Sequence, residues 1–189
     1  MKILLHVCCG PCTIYPLTVL RENGAEVTGH FFNPNIHPYM EFKRRLTTLR
    51  DYAEDIDLPL IVESTYGLTD FVRLVAFHEA ERCNICYHMR LEKTVSLARE
   101  RGFDSFSTTL LYSKYQRHSH VVSLCEKLSS KYDIDFFYRD FREGWQTGIE
   151  ASKERAMYRQ PYCGCLYSEQ ERYDKSLVKN KFSVLSLRD

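Results

Sequence analysis

Short runs of apolar residues alternate along the chain with longer stretches in which apolar residues recur every three or four positions. Runs with little polar alternation are typical of strands that are buried on both faces of a parallel sheet. The pattern therefore predicts five parallel strands: KILLHV at residues 2–7, EVTGHFF at 26–32, LPLIVES at 58–64, FDSFSTTLL at 103–111 and IDFFYRD at 134–140.

The stretches between these runs are predicted to be helices. Between residues 39 and 56, the apolar residues have the spacing of one helix face: Phe42, Leu46, Leu49 and Ala53. The chain from residue 141 onward is predicted to be mostly helical. Further helices are predicted over 16–24, 68–77, 85–101 and 120–132.

Strands that alternate with helices of about 10–20 residues predict βαβ units, in which helices cover both faces of a parallel sheet. We predict a Rossmann-like three-layer α/β sandwich with a five-stranded parallel sheet and a helical C-terminal extension, forming a single catalytic domain over residues 1–189. Ligands of such sheets bind beyond the carboxyl ends of the strands, where the strand order switches. Cys8, Cys9 and Cys12 follow the first strand directly and should lie at that edge.

The composition is that of an ordinary globular protein, with 44% hydrophobic and 27% charged residues and a net charge of +1. This balance neither favours nor excludes a nucleic-acid partner, so any basic binding surface must be local. The apolar start MKILLHV is too short for a signal peptide, and no run approaches the roughly 20 apolar residues of a membrane span. We therefore expect a cytoplasmic protein without a membrane partner, whose thiols stay reduced.

Seven of the eight cysteines fall into three groups. The eighth, Cys125, lies on an apolar face of a predicted helix and is expected to be a small buried hydrophobe. Grouped cysteines in a reducing compartment indicate metal or redox chemistry rather than a disulfide framework. The groups are C-C-G-P-C with Cys8, Cys9 and Cys12, C-N-I-C with Cys83 and Cys86, and C-G-C with Cys163 and Cys165.

Metal binding accounts for more of these cysteines than thiol exchange does. A structural zinc needs four ligands, whereas seven thiolates suit a [4Fe-4S] cluster with four cysteines beside a second metal with about three and an open position. Cys9-Gly10-Pro11-Cys12 is also the active-site tetrad of thioredoxin, so a thiol–disulfide oxidoreductase is an alternative, although that chemistry leaves five grouped cysteines without a role. A zinc-stabilised tRNA-binding module is another alternative, although it leaves three thiolates unexplained.

Five longer stretches carry a further signal: HVCCGPC, FFNPNIHPYMEFKRR, ERCNICYHMRL, STTLLYSKYQRH and SKERAMYRQPYCGCLYSE. Together they resemble the QueH epoxyqueuosine reductases over nearly the whole chain, in the same order and with similar spacing. The resemblance implies a fold similar to the adenine-nucleotide alpha-hydrolase (HUP) group. It also implies an oxidoreductase of queuosine biosynthesis that removes the epoxide oxygen of epoxyqueuosine in the tRNA anticodon loop by a two-electron reduction. Because CCGPC stands where many members of that fold group carry a pyrophosphate loop, an ATP-dependent tRNA thiolation enzyme is disfavoured.

The resemblance implies a set of cofactors and ligands as well. Family members use a [4Fe-4S] cluster beside a mononuclear metal, expected to be iron, and all seven grouped cysteines would be metal ligands. Because an aspartate takes the place of Cys12 in some members, we assign Cys12 to the mononuclear site with Cys8 and one member of the C-G-C pair. The cluster would take the other member, for which we choose Cys163 rather than Cys165, together with Cys9, Cys83 and Cys86.

The reaction also needs protons, electrons and a hold on the tRNA. Five polar residues near the predicted ends of strands four and five are candidates for the proton donor. They are Tyr112, Tyr115, His118, His120 and Asp140, of which we choose Asp140. Electrons must come from an external one-electron donor. The oligomeric state stays open.

Two basic stretches are candidates for contacts with tRNA phosphates, although a solvated helix face would explain each of them as well. The one we prefer adjoins PYCGC and consists of Lys153, Arg155 and Arg159; the other consists of Lys43, Arg44, Arg45 and Arg50 in the second predicted helix. Candidates for base stacking are Trp145, Tyr158 and Tyr162.

Overall fold

Five parallel strands form one sheet at the centre of the protein. The computed structural model describes residues 1–176. The order of strands across the sheet is β3-β2-β1-β4-β5, and every neighbouring pair is parallel. The predicted five-stranded parallel sheet is therefore confirmed. The strands are β1 (Lys2–His6), β2 (Glu26–Phe31), β3 (Leu60–Val62), β4 (Ser105–Thr108) and β5 (Asp135–Phe136).

Helices cover both faces of the sheet. Helix α1 packs against α2 and α6, whereas α4 packs against α3 and α5. Right-handed crossovers place these two groups on opposite faces, because the strand order runs in opposite directions from β1. The α-helices in the described part are α1 (Gly10–Glu22), α2 (Tyr39–Asp55), α3 (Leu68–Val75), α4 (Arg82–Glu100), α5 (His118–Tyr132), α6 (Trp145–Glu154) and α7 (Leu166–Tyr173).

The direction of the strand order switches between β1 and β4. His6 and Thr108, the last residues of these strands, are paired in the sheet register. The segments that follow them leave the sheet side by side, and the Cys8 amide donates to the Thr109 hydroxyl at 3.2 Å. Such a switch is where ligands of doubly wound sheets bind.

The core follows the hydrophobic pattern closely. The predicted inner face of α2 is buried, and Cys125 has no exposed surface. The expectation that Cys125 is a small buried hydrophobe agrees with this packing. The buried residues of the α2 face are Phe42, Leu46, Leu49 and Ala53.

Several element boundaries differ from the sequence prediction, most clearly those of α1, α4 and β5. Helix α1 begins at Gly10 rather than near residue 16, because Pro11 lies in its first turn, where a missing N–H has no intrahelical partner. Helix α4 begins at Arg82, so Cys83 lies inside it. Strand β5 is regular only at Asp135–Phe136, although the amide of Phe137 still donates to the Phe106 carbonyl at 2.9 Å.

None of the helices in residues 1–176 is long and apolar enough to span a bilayer. The prediction of one domain over residues 1–189 stays a prediction, and residues 177–189 lie outside the described part of the chain.

Candidate metal centre and substrate cavity

Cys8, Cys9 and Cys12 form a compact group of thiols beyond the carboxyl end of β1. Their Sγ atoms all lie within 4.8 Å of one another, and those of Cys8 and Cys9 are 3.8 Å apart. The start of α1 packs closely here, since a Cβ at Gly10 would lie 2.6 Å from Met157 Cε. Sulfur atoms at these separations can ligate one metal or neighbouring metals. A cysteine triad that could bind a metal is therefore present.

The three thiols differ in how readily they lose a proton. Hydrogen bonds from Cys12 and Cys9 hold the pKa of the Cys8 thiol well below its usual range. Burial raises the pKa of Cys9, and the hydrogen bond with Cys8 raises the pKa of Cys12. Cys8 is therefore the thiol of the group that loses its proton most readily, and its sulfur accepts a further hydrogen bond from the Thr109 hydroxyl at 3.4 Å.

A second group of four thiols combines the start of α4 with the C-G-C segment. Cys86 and Cys165 are buried in one small apolar cluster against α3. Burial is the main reason why the pKa values of Cys83 and Cys86 are raised, and negative charge on Cys163 and Cys165 raises both further. The four thiols thus lie in one region of the protein, although within residues 1–176 only the sulfur atoms of Cys8, Cys9 and Cys12 form a group within 4.8 Å.

Arg45 holds the C-G-C segment against helix α2. Its Nη1 and Nη2 donate to the carbonyl oxygens of Cys163 at 2.8 Å and Tyr162 at 3.0 Å, and its Nε donates to the Glu41 carboxylate at 2.7 Å. The Tyr158 hydroxyl donates to the same carboxylate. The expectation that Arg45 belongs to a basic surface patch is wrong, because this guanidinium is 1% exposed and all of its bonds are internal.

The backbone between the two C-G-C cysteines requires glycine. Gly164 has a φ of +154°, and a Cβ there would lie 3.2 Å from Asn35 Nδ2 and 3.4 Å from Arg45 Nη1. The Gly164 carbonyl accepts from the His37 amide at 2.8 Å, while the Tyr162 hydroxyl donates to the His37 carbonyl at 2.6 Å. Hydrogen bonds to His37 therefore hold the segment on both sides of Cys163.

Arg90 lies in the wall of the site, one helical turn after Cys86. Its Nη1 is 3.6 Å from the Cys86 sulfur, and its Nε is 3.3 Å from His6 Nε2. Burial keeps the pKa of His6 well below its usual value, so the imidazole is neutral. We assign the ring proton to Nδ1, 2.9 Å from the Thr108 hydroxyl, because Nε2 must accept from Arg90. His6 therefore has a structural role, in which it links Arg90 to the end of β4.

A cavity of about 690 Å³ opens beside the thiols. Cys8, Cys12 and Cys163 contribute to its wall, as does Arg90. The volume lies within the range of small-molecule sites and is sufficient for one nucleoside. Thiols, a fixed positive charge and an open cavity therefore meet in one place.

Aromatic rings form another part of the cavity wall. The Trp145 ring lies between those of Tyr112 and Tyr115, with centroid distances of 5.1 Å and 5.7 Å. Tyr112 is buried and its hydroxyl donates to the Trp145 carbonyl at 3.0 Å, whereas Tyr115 is 84% exposed. Tyr162 also contributes to the wall. The mouth of the cavity thus offers a ring to solvent.

Only two of the five candidates for the proton donor lie at the cavity. Tyr112 and Tyr115 line it. Asp140 does not line the cavity. Its carboxylate accepts hydrogen bonds from Arg142, and these bonds, together with the nearby positive charge, lower the pKa of that carboxyl to about 2. It is therefore ionised at neutral pH and has no proton to give. His118 and His120 also lie outside the wall, bonded to Tyr138 and Asn84.

The preferred basic residues occupy different surroundings. Arg159 contributes to the cavity wall, and Lys153 is exposed on the last turn of α6. Arg155 lies 3.9 Å from the Asp55 carboxylate and stacks over the Tyr52 ring. Arg159 is thus the member of this set that is placed beside the thiols.

The C-G-P-C alternative does not fit the surroundings of its thiols. A thioredoxin-type reaction needs an accessible first cysteine of lowered pKa. Cys9 is 1% exposed and burial raises its pKa, while the thiol of lowered pKa is Cys8, which lies outside the tetrad. Thiol–disulfide exchange through Cys9 and Cys12 is therefore not favoured.

Comparison with known proteins identifies the family. Residues 3–171 match the family model described as epoxyqueuosine reductase QueH. A protein of that name from Dehalococcoides mccartyi is 37% identical over 174 residues, which cover 92% of this chain and 96% of that protein. The chain belongs to the QueH family. The resemblance seen in the cysteine motifs is thereby confirmed.

Other QueH relatives and one solved structure agree with this. The epoxyqueuosine reductase QueH of Thermotoga maritima is 35% identical over 182 residues, covering 92% of this chain and 93% of that protein. The crystal structure of a predicted subunit of tRNA methyltransferase from Methanocaldococcus jannaschii superposes with a TM-score of 0.56 at 14% identity, over 82% of this chain and 75% of that chain. At this identity the likeness concerns the fold alone, and it confirms the expected α/β class.

Three residues of the site were not found from the sequence: Arg90, Gln160 and Gln116. Arg90 could have been noticed, because it follows Cys86 by four residues on a helix and so shares its face. Gln160 left no such signal; it donates to the Cys12 sulfur at 3.4 Å from a segment far along the chain. Gln116 likewise donates to the Cys163 sulfur at 3.4 Å.

Proposed function

We propose that this chain is an epoxyqueuosine reductase, which removes the epoxide oxygen of epoxyqueuosine in a tRNA anticodon loop and leaves queuosine and one water. The proposal rests on the position of the thiols, since ligating sulfur atoms line a cavity large enough for one nucleoside in a chain of the QueH family. The reaction consumes two electrons and two protons, so an external one-electron donor must reduce the protein twice for each turnover.

The seven grouped cysteines have the chemistry needed to hold a [4Fe-4S] cluster and a mononuclear iron. Because Cys8, Cys12 and Cys163 line the cavity, they are the better candidates for the metal that the substrate must reach. This assignment exchanges Cys163 and Cys165 relative to the choice made from the sequence, because Cys163 is exposed and Cys165 is buried. When bound, the two centres supply electrons and a Lewis-acidic position for the epoxide oxygen. The cluster would take Cys9, Cys83, Cys86 and Cys165.

Tyr112 is the candidate for a hydrogen bond to the substrate oxygen. Burial raises the pKa of its phenol, so the hydroxyl stays protonated at neutral pH. The hydroxyl already lies at the cavity wall with the Trp145 carbonyl as its acceptor, and the same proton can turn toward a ligand. In this role Tyr112 replaces Asp140, which is ionised and outside the described wall. Protons for the released water would come from solvent through the open mouth.

The modified base must leave the anticodon stack to reach the thiols. Tyr115 and Trp145 at the mouth would stack with the neighbouring base, since aromatic rings offer sequence-tolerant platforms. Arg159 and Lys153 would contact phosphates, because neither forms an ion pair within residues 1–176. Arg155 is less suited, since Asp55 already faces it.

The proposal is tested by metal analysis followed by turnover. Protein purified without oxygen should hold about four acid-labile sulfides and more than four irons per chain, and it should convert epoxyqueuosine tRNA to queuosine tRNA with a chemical reductant. Cys12→Ser should keep the sulfide but lose iron beyond the cluster and lose turnover. Cys125→Ser is the matched control, because Cys125 is outside the groups. One zinc per chain without sulfide would overturn the proposal and favour the zinc-stabilised module.

A further inference from the structure

Two arginines of the described chain are almost completely buried, and only one of them has a carboxylate partner. Arg45 is 1% exposed and forms an ion pair with Glu41 at 2.7 Å. Arg90 is 3% exposed, and no carboxylate within residues 1–176 forms an ion pair with it. Its guanidinium contacts the neutral His6 ring and the Cys86 sulfur instead.

An arginine stays charged at every physiological pH, and a buried charge without an opposite partner is strongly unfavourable. The surroundings of Arg90 therefore require a negative charge that protein carboxylates do not supply. Cysteines become thiolates when they ligate a metal. Cys86 touches the guanidinium, and Cys8 and Cys163 share the cavity wall with it. Metal-bound thiolates would thus provide the missing charge.

The position of Arg90 is set by the fold. It follows Cys86 by four residues on α4, so both side chains lie on the same face of that helix. The guanidinium is held from behind by His6, whose ring is fixed in turn by Thr108 at the end of β4. This arrangement aims a fixed cation at the thiols.

We propose that Arg90 is the counter-charge of the metal–thiolate centre and that it raises the reduction potential of the iron–sulfur cluster. This inference rests on the proposed function. A [4Fe-4S] cluster with four thiolate ligands is anionic and gains negative charge on reduction, so a nearby cation stabilises the reduced form. A hydrogen bond to a ligating sulfur acts in the same direction. Arg90 is accordingly a positioning residue, because it acts through the reduction potential of the cluster.

The direct test is an EPR-monitored redox titration of the loaded protein. At the wild-type midpoint, Arg90→Met should lower the ratio of reduced to oxidised cluster at least tenfold, equivalent to about 59 mV for a one-electron couple. Arg90→Lys keeps the charge and should shift the ratio less. Arg99→Met removes the same charge from an exposed position on α4, where Arg99 faces Asp133, and should leave the potential unchanged. An equal potential in wild type and Arg90→Met overturns the inference.

Unfolding in denaturant gives a readout that a merely structural arginine would not produce. In metal-free protein Arg90→Met should unfold at the same or a higher denaturant concentration than wild type, because it removes an unpaired buried charge. In loaded protein the same variant should unfold at a lower concentration. Equal destabilisation in both states would mean that Arg90 serves packing alone, and it would overturn the inference even if the variant loads poorly.

The outcomes separate this inference from the proposed function. Wild-type protein without sulfide overturns both. Wild-type protein with cluster and turnover, combined with an unchanged potential in Arg90→Met, overturns the role of Arg90 and leaves the reductase function standing.

Discussion

Replacing Arg45 by methionine should lower the free energy of unfolding of the metal-free protein by about 3–5 kcal/mol, the usual effect of breaking a buried ion pair on one side. The substitution strands the Glu41 carboxylate, whose side chain is 6% exposed, with the Tyr158 hydroxyl as its remaining donor. It also removes the two hydrogen bonds to the carbonyl oxygens of Tyr162 and Cys163.

The double variant Arg45→Met with Glu41→Leu isolates the stranded charge. With the carboxylate gone, the loss should fall to the two hydrogen bonds, about 1 kcal/mol each and so about 2 kcal/mol in total. The assay is equilibrium unfolding in urea, with the four free energies of wild type, Arg45→Met, Glu41→Leu and the double variant compared in a double-mutant cycle. Iron content should fall in both variants, because the segment that carries Cys163 loses its anchor on α2.

The reasoning fails if the single variant loses less than about 1 kcal/mol, or if the double variant is as unstable as the sum of the two single substitutions. Either result would mean that Glu41 reaches water easily and that the C-G-C segment is held by other contacts, such as the bond between His37 and Gly164.

Three further predictions concern the substrate side and the metal segment. Asp140→Asn should leave turnover unchanged between pH 6 and 8, because the Asp140 carboxyl has a pKa of about 2 and is already ionised throughout that range; a large loss of turnover, or the loss of a titration from the pH–rate profile, would restore Asp140 as a proton donor. The variant carrying both Lys153→Ala and Arg159→Ala should bind tRNA more weakly and with a flatter dependence of log Kd on log salt, by a slope change of about 1–2; a slope equal to that of wild type would remove both residues from the interface. Gly164→Ala should destabilise the protein by about 1–3 kcal/mol and reduce iron content, as measured by urea unfolding and metal analysis, whereas normal iron content would show that the segment tolerates a Cβ near Asn35.

The sheet could be predicted from the sequence because its strands are buried on both faces. Such strands appear as nearly continuous apolar runs, and KILLHV is the clearest of them. The same signal fails at the edge of the sheet, where IDFFYRD contains only the two regular residues of β5. After Phe136 the chain stays joined to β4 by the Phe137 amide, which donates to the Phe106 carbonyl, and by the Ser107 hydroxyl, which donates to the Phe137 carbonyl, but no regular strand continues.

The grouping of the cysteines could be predicted from the sequence, but the surroundings of the charged side chains could not. Lys43, Arg44 and Arg45 are consecutive, and successive helical residues are about 100° apart, so the three cannot face the same way. The sequence does not reveal that Arg45 is the inward one, because two of its partners are backbone carbonyls more than a hundred residues away. Every residue has a backbone carbonyl, so a contact to one cannot be predicted from the identity of the residue that carries it.

The strand order has a consequence for the time course of synthesis. Strand β1 lies in the middle of the sheet and acquires one of its two neighbours, β4, only after residues 105–108 have been made. The ribosome delivers the first five grouped cysteines long before Cys163 and Cys165. During that interval the nascent chain carries an incomplete set of ligands, open to zinc or to oxidation. The complete set of ligands therefore exists only after all five strands have been translated, because Cys163 and Cys165 follow β5 in the sequence.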